Sequence, residues 1–246
     1  EQVCALSLSA DGSHLISGSS GGSVWVWNLA APWDQNSCRF LCAAAASNVE
    51  SLQAQLENEG KKDVNLHYEN GPTALHLACL DPHPDKSLSL VQMLHLAGAK
   101  MQAQTLGLQT PLHLAAARGH LPVVVYLLEK CRVQVNAIDH QGRTPLMLAC
   151  LGGHLEVVQF MWNLKTVNTL LKDKKEQTLL MFASMGGLDS IVKKLIQRGD
   201  NINIIDESNE SAIVKACAAN KWATVRLLYN SGANMRVSDR DGKQPM

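Results

Sequence analysis

The sequence predicts a mainly α-helical fold of stacked helix–turn–helix units, with a short β segment at its amino-terminal end. A short pattern recurs at intervals of 37, 34, 34 and 33 residues. Its copies begin at Thr73, Thr110, Thr144, Thr178 and Ser211. Apolar residues at helical spacing follow each copy, whereas residues 1–29 alternate between apolar and polar side chains. A period of this length is typical of a repeat array in which neighbouring units share one core.

The first helix of each unit is predicted from the residues that open it. In Thr144-Pro-Leu-Met147, the threonine hydroxyl can cap backbone N–H groups, and proline at the first helical position loses no hydrogen bond. The preceding segment, Asp139-His-Gln-Gly142, favours a turn in which the glycine adopts a positive φ. Leu146, Ala149 and Cys150 then fall on one helical face.

The second helix follows the pair Gly152-Gly153, and its apolar stripe runs from Leu155 to Met161. In the last full unit, Trp222 is aligned with Leu121, Leu155 and Leu188 at the start of this helix. We interpret it as a larger core residue, with a partly exposed anchor residue as the alternative. One such unit cannot bury its own apolar faces, so neighbouring units are expected to stack.

These units resemble the ankyrin repeat, whose pattern reads D-x-x-G-x-T-P-L-H-x-A-A-x-x-G-H-x-x-V-V-x-x-L-L. The segments 139–158 and 110–128 carry most of these residues, and residues 39–56 resemble a first unit that lacks the opening motif. The resemblance covers roughly residues 38–246 and implies a solenoid of about six repeats, the last one truncated, with β-hairpin tips. Because the chain starts at Glu1 and the last repeat breaks off after Met246, we expect it to be part of a longer protein.

Residues 1–29 are similar to a single WD40 blade. The resemblance rests on the turn at Asp11-Gly12, on Ser17-Gly18-Ser19 and on Val24-Trp-Val-Trp27. Three strands alone are marginally stable, so the segment is expected either to end a propeller or to dock elsewhere. Residues 30–37 are the predicted linker.

One unit carries an insertion. The segment Asp81-Pro-His-Pro-Asp-Lys-Ser87 stands where a short glycine–histidine turn is expected. Since its two prolines interrupt a continuous helix, we expect a projecting loop.

Composition excludes several classes of function. Lysine plus arginine and aspartate plus glutamate number 22 each, which disfavours a general nucleic-acid or membrane-surface role. No apolar run approaches the roughly 18 residues that a membrane span needs.

Cys79, Cys150 and Cys217 share one small-residue position of the repeat with Ala116 and Ser184. This placement and the odd total of 7 cysteines favour a reducing compartment, so the predicted location is the cytoplasm, the nucleus or both.

No metal, cofactor or catalytic site is predicted. The resemblance implies structural roles for His76, His113, His120 and His154, and His83 has no histidine or cysteine at ligand spacing. Cys131 stands between two basic residues that can lower a thiol pKa, but an ordinary thiol is the favoured interpretation. The sequence has neither a nucleophile elbow nor a P-loop, so we predict that this chain is not an enzyme.

The resemblance implies that a partner protein lies across the tips and the exposed side of the first helices. The predicted partner-binding residues are Glu69, Asn70, Asp81, Gln109, Arg118, His140, Gln141, Arg143, Leu151, Lys174, Lys175, Gln177, Met185, Glu207, Ser208 and Glu210. They place apolar residues among charges, as at many protein interfaces. An ordinary solvated face is the alternative. We expect Arg143→Glu with Lys175→Glu to weaken binding and to leave the melting temperature nearly unchanged.

The asparagines that link repeats, Asn65, Asn136 and Asn203, occupy a position that can be hydroxylated in this family. Asn136, with Leu128 eight residues earlier, fits best. A side-chain bond that stabilises the turn explains these asparagines equally well.

The predicted function is that of a non-catalytic scaffold or adaptor that binds a protein through the concave surface and the tips. Two alternatives stay open. The chain is the substrate-recruiting part of a larger enzyme, such as a ubiquitin ligase or kinase, or it is the cytosolic ankyrin part of a membrane protein.

Overall fold

A computed structural model describes residues 3–8, 14–19, 24–28, 35–46, 48–58, 63–67 and 71–234. The chain divides into two compact units, with the boundary between Thr105 and Leu106. None of the described helices is long and apolar enough to cross a membrane.

The first unit begins with a three-stranded antiparallel sheet in the order β1-β2-β3. Its strands are β1 (Val3–Leu8), β2 (His14–Ser19) and β3 (Val24–Asn28). The register places Leu15 opposite Trp27, and the pairing of β1 with β2 shifts between Val3 and Ala5. This sheet alone does not establish a propeller, so the resemblance to a WD40 blade stays a prediction. The turns predicted between the strands lie outside the described residues.

Four helices complete the first unit: α1 (Gln35–Ala45), α2 (Val49–Asn58), α3 (Ala74–Cys79) and α4 (Pro84–Leu96). Helix α1 packs against α2 and α3, and α3 packs against α4. The large, fully buried side chains between them are Phe40, Leu52, Leu75, Leu90 and Leu94. Helix α1 starts inside the predicted linker, because a helix tolerates polar residues such as Gln35 in its first turn.

The projecting loop predicted after Leu80 is wrong. Helix α4 starts at Pro84 with His83 as its N-cap residue, and its 13 residues make it the longest of the described helices. Proline at the first helical position lacks a donor that would have no partner there in any case, and its fixed φ suits the helix. The inserted residues therefore extend α4 at its amino-terminal end.

Residues 106–234 of the second unit form four helix pairs: α5 (Pro111–Arg118) with α6 (Leu121–Glu129), α7 (Pro145–Leu151) with α8 (Leu155–Trp162), α9 (Leu179–Gly186) with α10 (Asp189–Arg198), and α11 (Ala212–Ala218) with α12 (Trp222–Asn230). The first helices pack in sequence, α5 on α7, α7 on α9 and α9 on α11. Among the second helices, α6 packs on α8 and α10 on α12. The stacked helix–turn–helix arrangement predicted from the period is therefore confirmed for this unit.

Small residues let the first helices approach closely. Ala116, Cys150 and Ser184 are fully buried, as the shared small-residue position predicts, whereas Cys217 is only half-buried. Gly186 ends α9 so close to α7 that an added Cβ atom would lie 1.9 Å from the carbonyl oxygen of Cys150. Glycine is therefore required at this position by packing between repeats.

The tips that precede the first helices are tight turns, not the paired strands implied by the family resemblance. Isolated bridges join His67 to Thr73 and Ile205 to Ser211, and no strand is assigned in residues 63–67 or 71–234. Gly142 has a φ of 78°, so the positive φ predicted there is confirmed.

The core position predicted for Trp222 is wrong, because 58% of its surface is exposed. The helix starts show the reason. Trp222 is the first residue of α12 and corresponds to Leu121, Leu155 and Asp189, whereas Leu188 is the N-cap residue of α10. Leu155 is itself 37% exposed, so this position faces solvent in part in other repeats too.

Candidate protein-binding surface

A buried aspartate organises each of the last three described tips. The Oδ1 atom of Asp139 accepts backbone N–H groups from Gln141 and Arg143, both at 2.9 Å. Asp173 and Asp206 bind the corresponding N–H groups, two and four residues further on, at 2.8–2.9 Å. The side chains of all three aspartates are buried. Each turn is thereby closed from inside, and the residue that follows each aspartate is exposed: His140, Lys174 and Glu207.

Backbone hydrogen bonds connect neighbouring tips of the second unit into a ladder. The N–H of His140 donates to Gly107 O at 2.9 Å, and the N–H of Lys174 donates to Gln141 O at 2.8 Å. The N–H of Glu207 donates to Lys175 O at 3.1 Å. Four tips are thus held in a fixed order, and we call the exposed side chains of residues 106–109, 140–142, 174–177 and 207–210 the tip surface.

Buried histidines tie two of the first helices to the segment that follows. His113 Nδ1 lies 2.9 Å from the Thr110 hydroxyl and accepts the Thr110 N–H, while Nε2 donates to Arg143 O at 3.1 Å. His76 makes the same bonds with Thr73 and with Ala103 O. Burial lowers the pKa of His113, although the bond to Arg143 O and the charge of Asp139 oppose this shift. The structural role implied for these histidines is confirmed by this geometry.

Methionine occupies the same position in the next two repeats. Met147 and Met181 are buried there, and their N–H groups donate to the hydroxyls of Thr144 and Thr178 at 3.3 and 3.4 Å. The motif histidine is thus replaced by an apolar side chain in part of the chain.

The last described tip contains a charged cluster that is part of the scaffold. Lys215 Nζ lies 2.8 Å from Asp206 Oδ2 and also contacts Glu210, while Gln177 donates to Asp206 at 3.0 Å. Burial opposes ionisation of Asp206, but the hydrogen bonds from Gln177, Lys215 and the Glu210 N–H outweigh it and lower the pKa of Asp206. Burial likewise opposes protonation of Lys215, but its bonds to the two carboxylates raise the pKa of Lys215.

The structure divides the predicted partner-binding residues into four groups. The exposed ones are His140, Gln141, Leu151, Lys174, Lys175 and Glu207. The half-buried ones are Gln109, Arg118, Arg143, Gln177, Met185, Ser208 and Glu210. Asp81 is buried, and Glu69 and Asn70 lie outside the described residues. Thus the predicted residues of the last three described tips share one surface, joined by the backbone ladder.

Asp81 is misplaced in the prediction. Its side chain is 3% exposed, and its Oδ1 atom accepts the His83 N–H at 2.8 Å just before α4. It therefore closes the turn between α3 and α4 and does not face a partner.

Arg143, Gln177 and Glu210 also serve the scaffold. Arg143 donates from Nε and Nη2 to Asp139 Oδ2 at 2.9 and 2.7 Å, and the Asp139 side chain is fully buried. Reversing the charge of Arg143 would bring a second carboxylate to this buried one. We therefore expect that substitution to lower the melting temperature, which corrects the sequence-based expectation.

Three other predicted residues lie at the ends of the packed first helices. Arg118 ends α5, Leu151 ends α7, and Met185 is the last residue but one of α9. Leu151 is exposed, and the other two are half-buried. Leu151 and Met185 supply apolar surface at the carboxyl-terminal ends of α7 and α9, whereas the tips precede the amino-terminal ends of these helices.

Sequence reasoning missed Leu106 and Leu108, which are 72% and 45% exposed in the first tip of the second unit. This tip lacks the D-x-x-G motif, so it gave no turn signal. Leu108 lies two residues before Thr110, just as Gly142 lies two residues before Thr144. Aligning the repeats on these threonines could therefore have identified Leu108 as a tip residue. Leu108 has a φ of 54°, a conformation that costs an L-residue about 1 kcal/mol.

Asn136 also has a structural role. Its Nδ2 atom donates to Thr166 O at 2.7 Å, and its Oδ1 atom accepts the Asn168 N–H at 2.9 Å. Asn65 and Asn203 accept the N–H groups of Lys100 and Asn234 in the same way. The turn-stabilising role is therefore present, and hydroxylation of Asn136 stays a prediction.

The thiols of Cys79, Cys131 and Cys150 are less acidic than usual because they are buried or partly buried. Burial raises the pKa of Cys79 and Cys150 well above the usual range, and partial burial raises that of Cys131. The described residues contain no group of His, Cys, Asp or Glu side chains arranged to hold a metal ion.

Paired helices, tight tips and buried linking side chains define a helical repeat protein. The chain belongs to the ankyrin repeat family: the family profile "Ankyrin repeats (3 copies)" matches residues 83–173 and 162–239. Ankyrin repeats are protein–protein interaction modules, and proteins of this family are typically non-catalytic.

Two kinds of relative illustrate the family. A stretch of 95 residues is 32% identical to Notch-regulated ankyrin repeat-containing protein of Homo sapiens and of Mus musculus, and it covers 38% of this chain and 80% of each relative. A stretch of 117 residues is 30% identical to alpha-latrotoxin-Lg1a of Latrodectus geometricus. It covers 47% of this chain but only 8% of the toxin.

Proposed function

We propose that this chain is a non-catalytic scaffold or adaptor that holds a partner protein on the tip surface and on the carboxyl-terminal ends of α5, α7 and α9. The observation that carries the proposal is the tip ladder. It fixes the backbone of four neighbouring tips while leaving their outward side chains uncommitted to the core. A rigid backbone that presents variable side chains suits specific recognition, because little ordering entropy is lost on binding.

Lys174 and Lys175 are the charged residues best suited to this role. Both are exposed, and the ion pairs of the described residues in this unit use Arg143, Lys172, Arg198 and Lys215 instead. Charges at an interface accelerate association and select partners.

Affinity purification from cells, quantified by mass spectrometry, tests this assignment. The bait chain carries either Lys174→Glu with Lys175→Glu or the matched control Lys193→Glu with Lys194→Glu on the exposed side of α10. We expect the tip variant to lose the partners of the wild-type chain at least about tenfold and the α10 variant to retain them. Equal retention by both variants would contradict the assignment.

We further propose that this function is exercised in the cytoplasm or nucleus and that the amino-terminal sheet belongs to a WD40 propeller. Free cysteines support the first proposal, since the described Cys42, Cys79, Cys131, Cys150 and Cys217 form no disulfide. The antiparallel order of β1, β2 and β3 supports the second.

A further inference from the structure

We propose that the tip containing Leu106 and Leu108 anchors an extended partner segment, which carries apolar side chains at this tip and acidic side chains at the tip containing Lys174 and Lys175. The inference rests on the proposed function and specifies the chemistry of the partner. Two observations carry it: an exposed apolar pair on a strained turn, and an exposed basic pair two tips away.

The apolar pair is exposed to solvent at the start of the ladder. Leu106 and Leu108 flank Gly107, whose carbonyl oxygen accepts the His140 N–H and starts the ladder. The two side chains are 72% and 45% exposed. They therefore form an apolar patch at a fixed position, next to a tip whose outward residues, His140 and Gln141, are polar.

The backbone of Leu108 indicates that this apolar side chain is there for a reason other than folding. The corresponding residues of the other three tips are Gly142, Glu176 and Asn209, with φ values of 78°, 60° and 60°. Glycine adopts this conformation without strain, and polar side chains at least remain solvated. Leucine with a φ of 54° combines backbone strain with exposed apolar surface, and strain kept at an exposed site is characteristic of binding sites.

The basic pair determines the charge of the partner. Lys174 and Lys175 are exposed, and Glu176 of the same tip forms its ion pair with Lys172 at 2.7 Å. In the part of the second unit that the structure describes, no carboxylate forms an ion pair with either ammonium group. A segment bearing glutamate or aspartate complements this tip.

The ladder determines the length of the partner segment. Packed helices lie about 8–10 Å apart, so two steps along the tips span roughly 20 Å. An extended chain advances about 3.3 Å per residue, so about six residues separate the apolar from the acidic side chains.

Selection from a random linear peptide library displayed on phage, with the full chain as target, tests the proposal. We expect the recovered peptides to carry apolar and acidic residues at about this separation. Synthetic, fluorescein-labelled copies are then titrated with the chain and followed by fluorescence anisotropy. Recovery of no peptide, or of peptides without acidic residues, would overturn the proposal.

Two glycine variants supply a matched comparison. Leu108→Gly and Asn220→Gly both relieve a positive φ, of 54° and 56°, at exposed positions, but only Leu108 lies on the tip surface and contributes apolar surface there. We expect Leu108→Gly to weaken peptide binding at least tenfold and Asn220→Gly, in the turn between α11 and α12, to change it less than about twofold. Relief of strain and the added chain entropy of glycine offset each other, so both melting temperatures stay within about 3 °C of the wild type.

The outcomes separate this proposal from the broader one. If Leu108→Gly binds the peptides as well as the wild-type chain does, while cellular partners still require Lys174 and Lys175, only the partner chemistry is wrong. Analytical ultracentrifugation tests a different occupant. A wild-type dimer that Leu108→Gly dissociates would show that a second copy of the chain covers this tip, and would overturn the peptide proposal.

Discussion

The buried and exposed sides of each tip turn follow different rules. On the buried side, Asp139, Asp173 and Asp206 make the same pair of backbone hydrogen bonds. On the exposed side, the four tips differ: the first carries leucines, the second neutral polar residues, the third lysines and the fourth a glutamate. Stability and recognition thus belong to different residues within one short turn, and substitutions can separate them.

The contacts between repeats also vary along the chain. The buried side chains of His76 and His113 donate hydrogen bonds to Ala103 O and Arg143 O. Methionine takes the position of these histidines in the next two repeats. In the last described repeat Val214 takes this position and is buried. The position therefore links repeats by hydrogen bonds where it holds histidine and contributes only apolar packing elsewhere, so only the histidine contacts depend on pH.

The largest loss of stability is expected from Gly186→Ala, since its Cβ atom would lie 1.9 Å from Cys150 O. We expect the free energy of unfolding to fall by about 3 kcal/mol or more, measured by urea denaturation. Gly199→Ala is the control, because no atom lies within 4 Å of its Cβ position and only its φ of 95° is strained. Gly186 itself has no positive φ, so a loss no larger than that of Gly199→Ala would contradict the importance of packing between repeats at this position.

Lys215→Met removes the cation from the buried cluster, and Asp206 keeps only its bonds to Gln177 and to two backbone N–H groups. We expect a loss of about 2–3 kcal/mol at neutral pH. The pKa of Asp206 is lowered in the folded protein, so this contribution is present above its ordinary value of 3.8 and disappears as pH falls through the lowered value. Urea denaturation at several pH values should show the variant and the wild type converging in acid; a constant difference would contradict the pairing.

The substitution His113→Met introduces the residue that the next two repeats have at this position, Met147 and Met181. We expect a loss of about 1 kcal/mol at pH 8, from the missing hydrogen bond to Arg143 O. Because burial lowers the pKa of His113, the unfolded chain binds its proton more readily, and the wild type loses stability as pH falls below the usual 6.5. The difference between the two proteins should therefore shrink between pH 7 and pH 5, and a difference that grows would indicate a protonated histidine in the fold.

Structural features that recur in every repeat could be predicted from the sequence, whereas features that occur in a single repeat could not. The period, the threonine caps and the small-residue position recur, so each copy supports the next, and the helix pairs follow from them. The segment after Leu80 occurs in one repeat only. A proline is compatible both with the end of one helix and with the start of the next, so the sequence alone could not predict where α4 begins. The sequence aligned Trp222 with Leu188, whereas the helix starts align it with Asp189, one residue later. This difference of one residue led to the wrong prediction that Trp222 is buried.

The candidate site shows the same limit. A charged residue on a tip can face a partner, as Lys174 and Lys175 do, or close on a buried carboxylate, as Arg143 does. The spacing is the same in both cases, and only the three-dimensional pairing distinguishes them. Leu108 was missed because its tip lacks the motif that marks the others.

The smallest effect on stability is expected from Lys174→Glu with Lys175→Glu. Both side chains are exposed and take no part in the core, so the free energy of unfolding should change by less than about 0.5 kcal/mol. Urea denaturation checks this, and a larger change would assign the two lysines to the scaffold and remove them from the tip surface.

Amide hydrogen exchange, measured on the chain with and without a partner captured by affinity purification, tests the central claim most directly. We predict that the partner slows exchange in the tips at residues 106–109, 140–142 and 174–177 and leaves α10 (Asp189–Arg198) unchanged. Protection of α10 with unchanged tips would contradict the account.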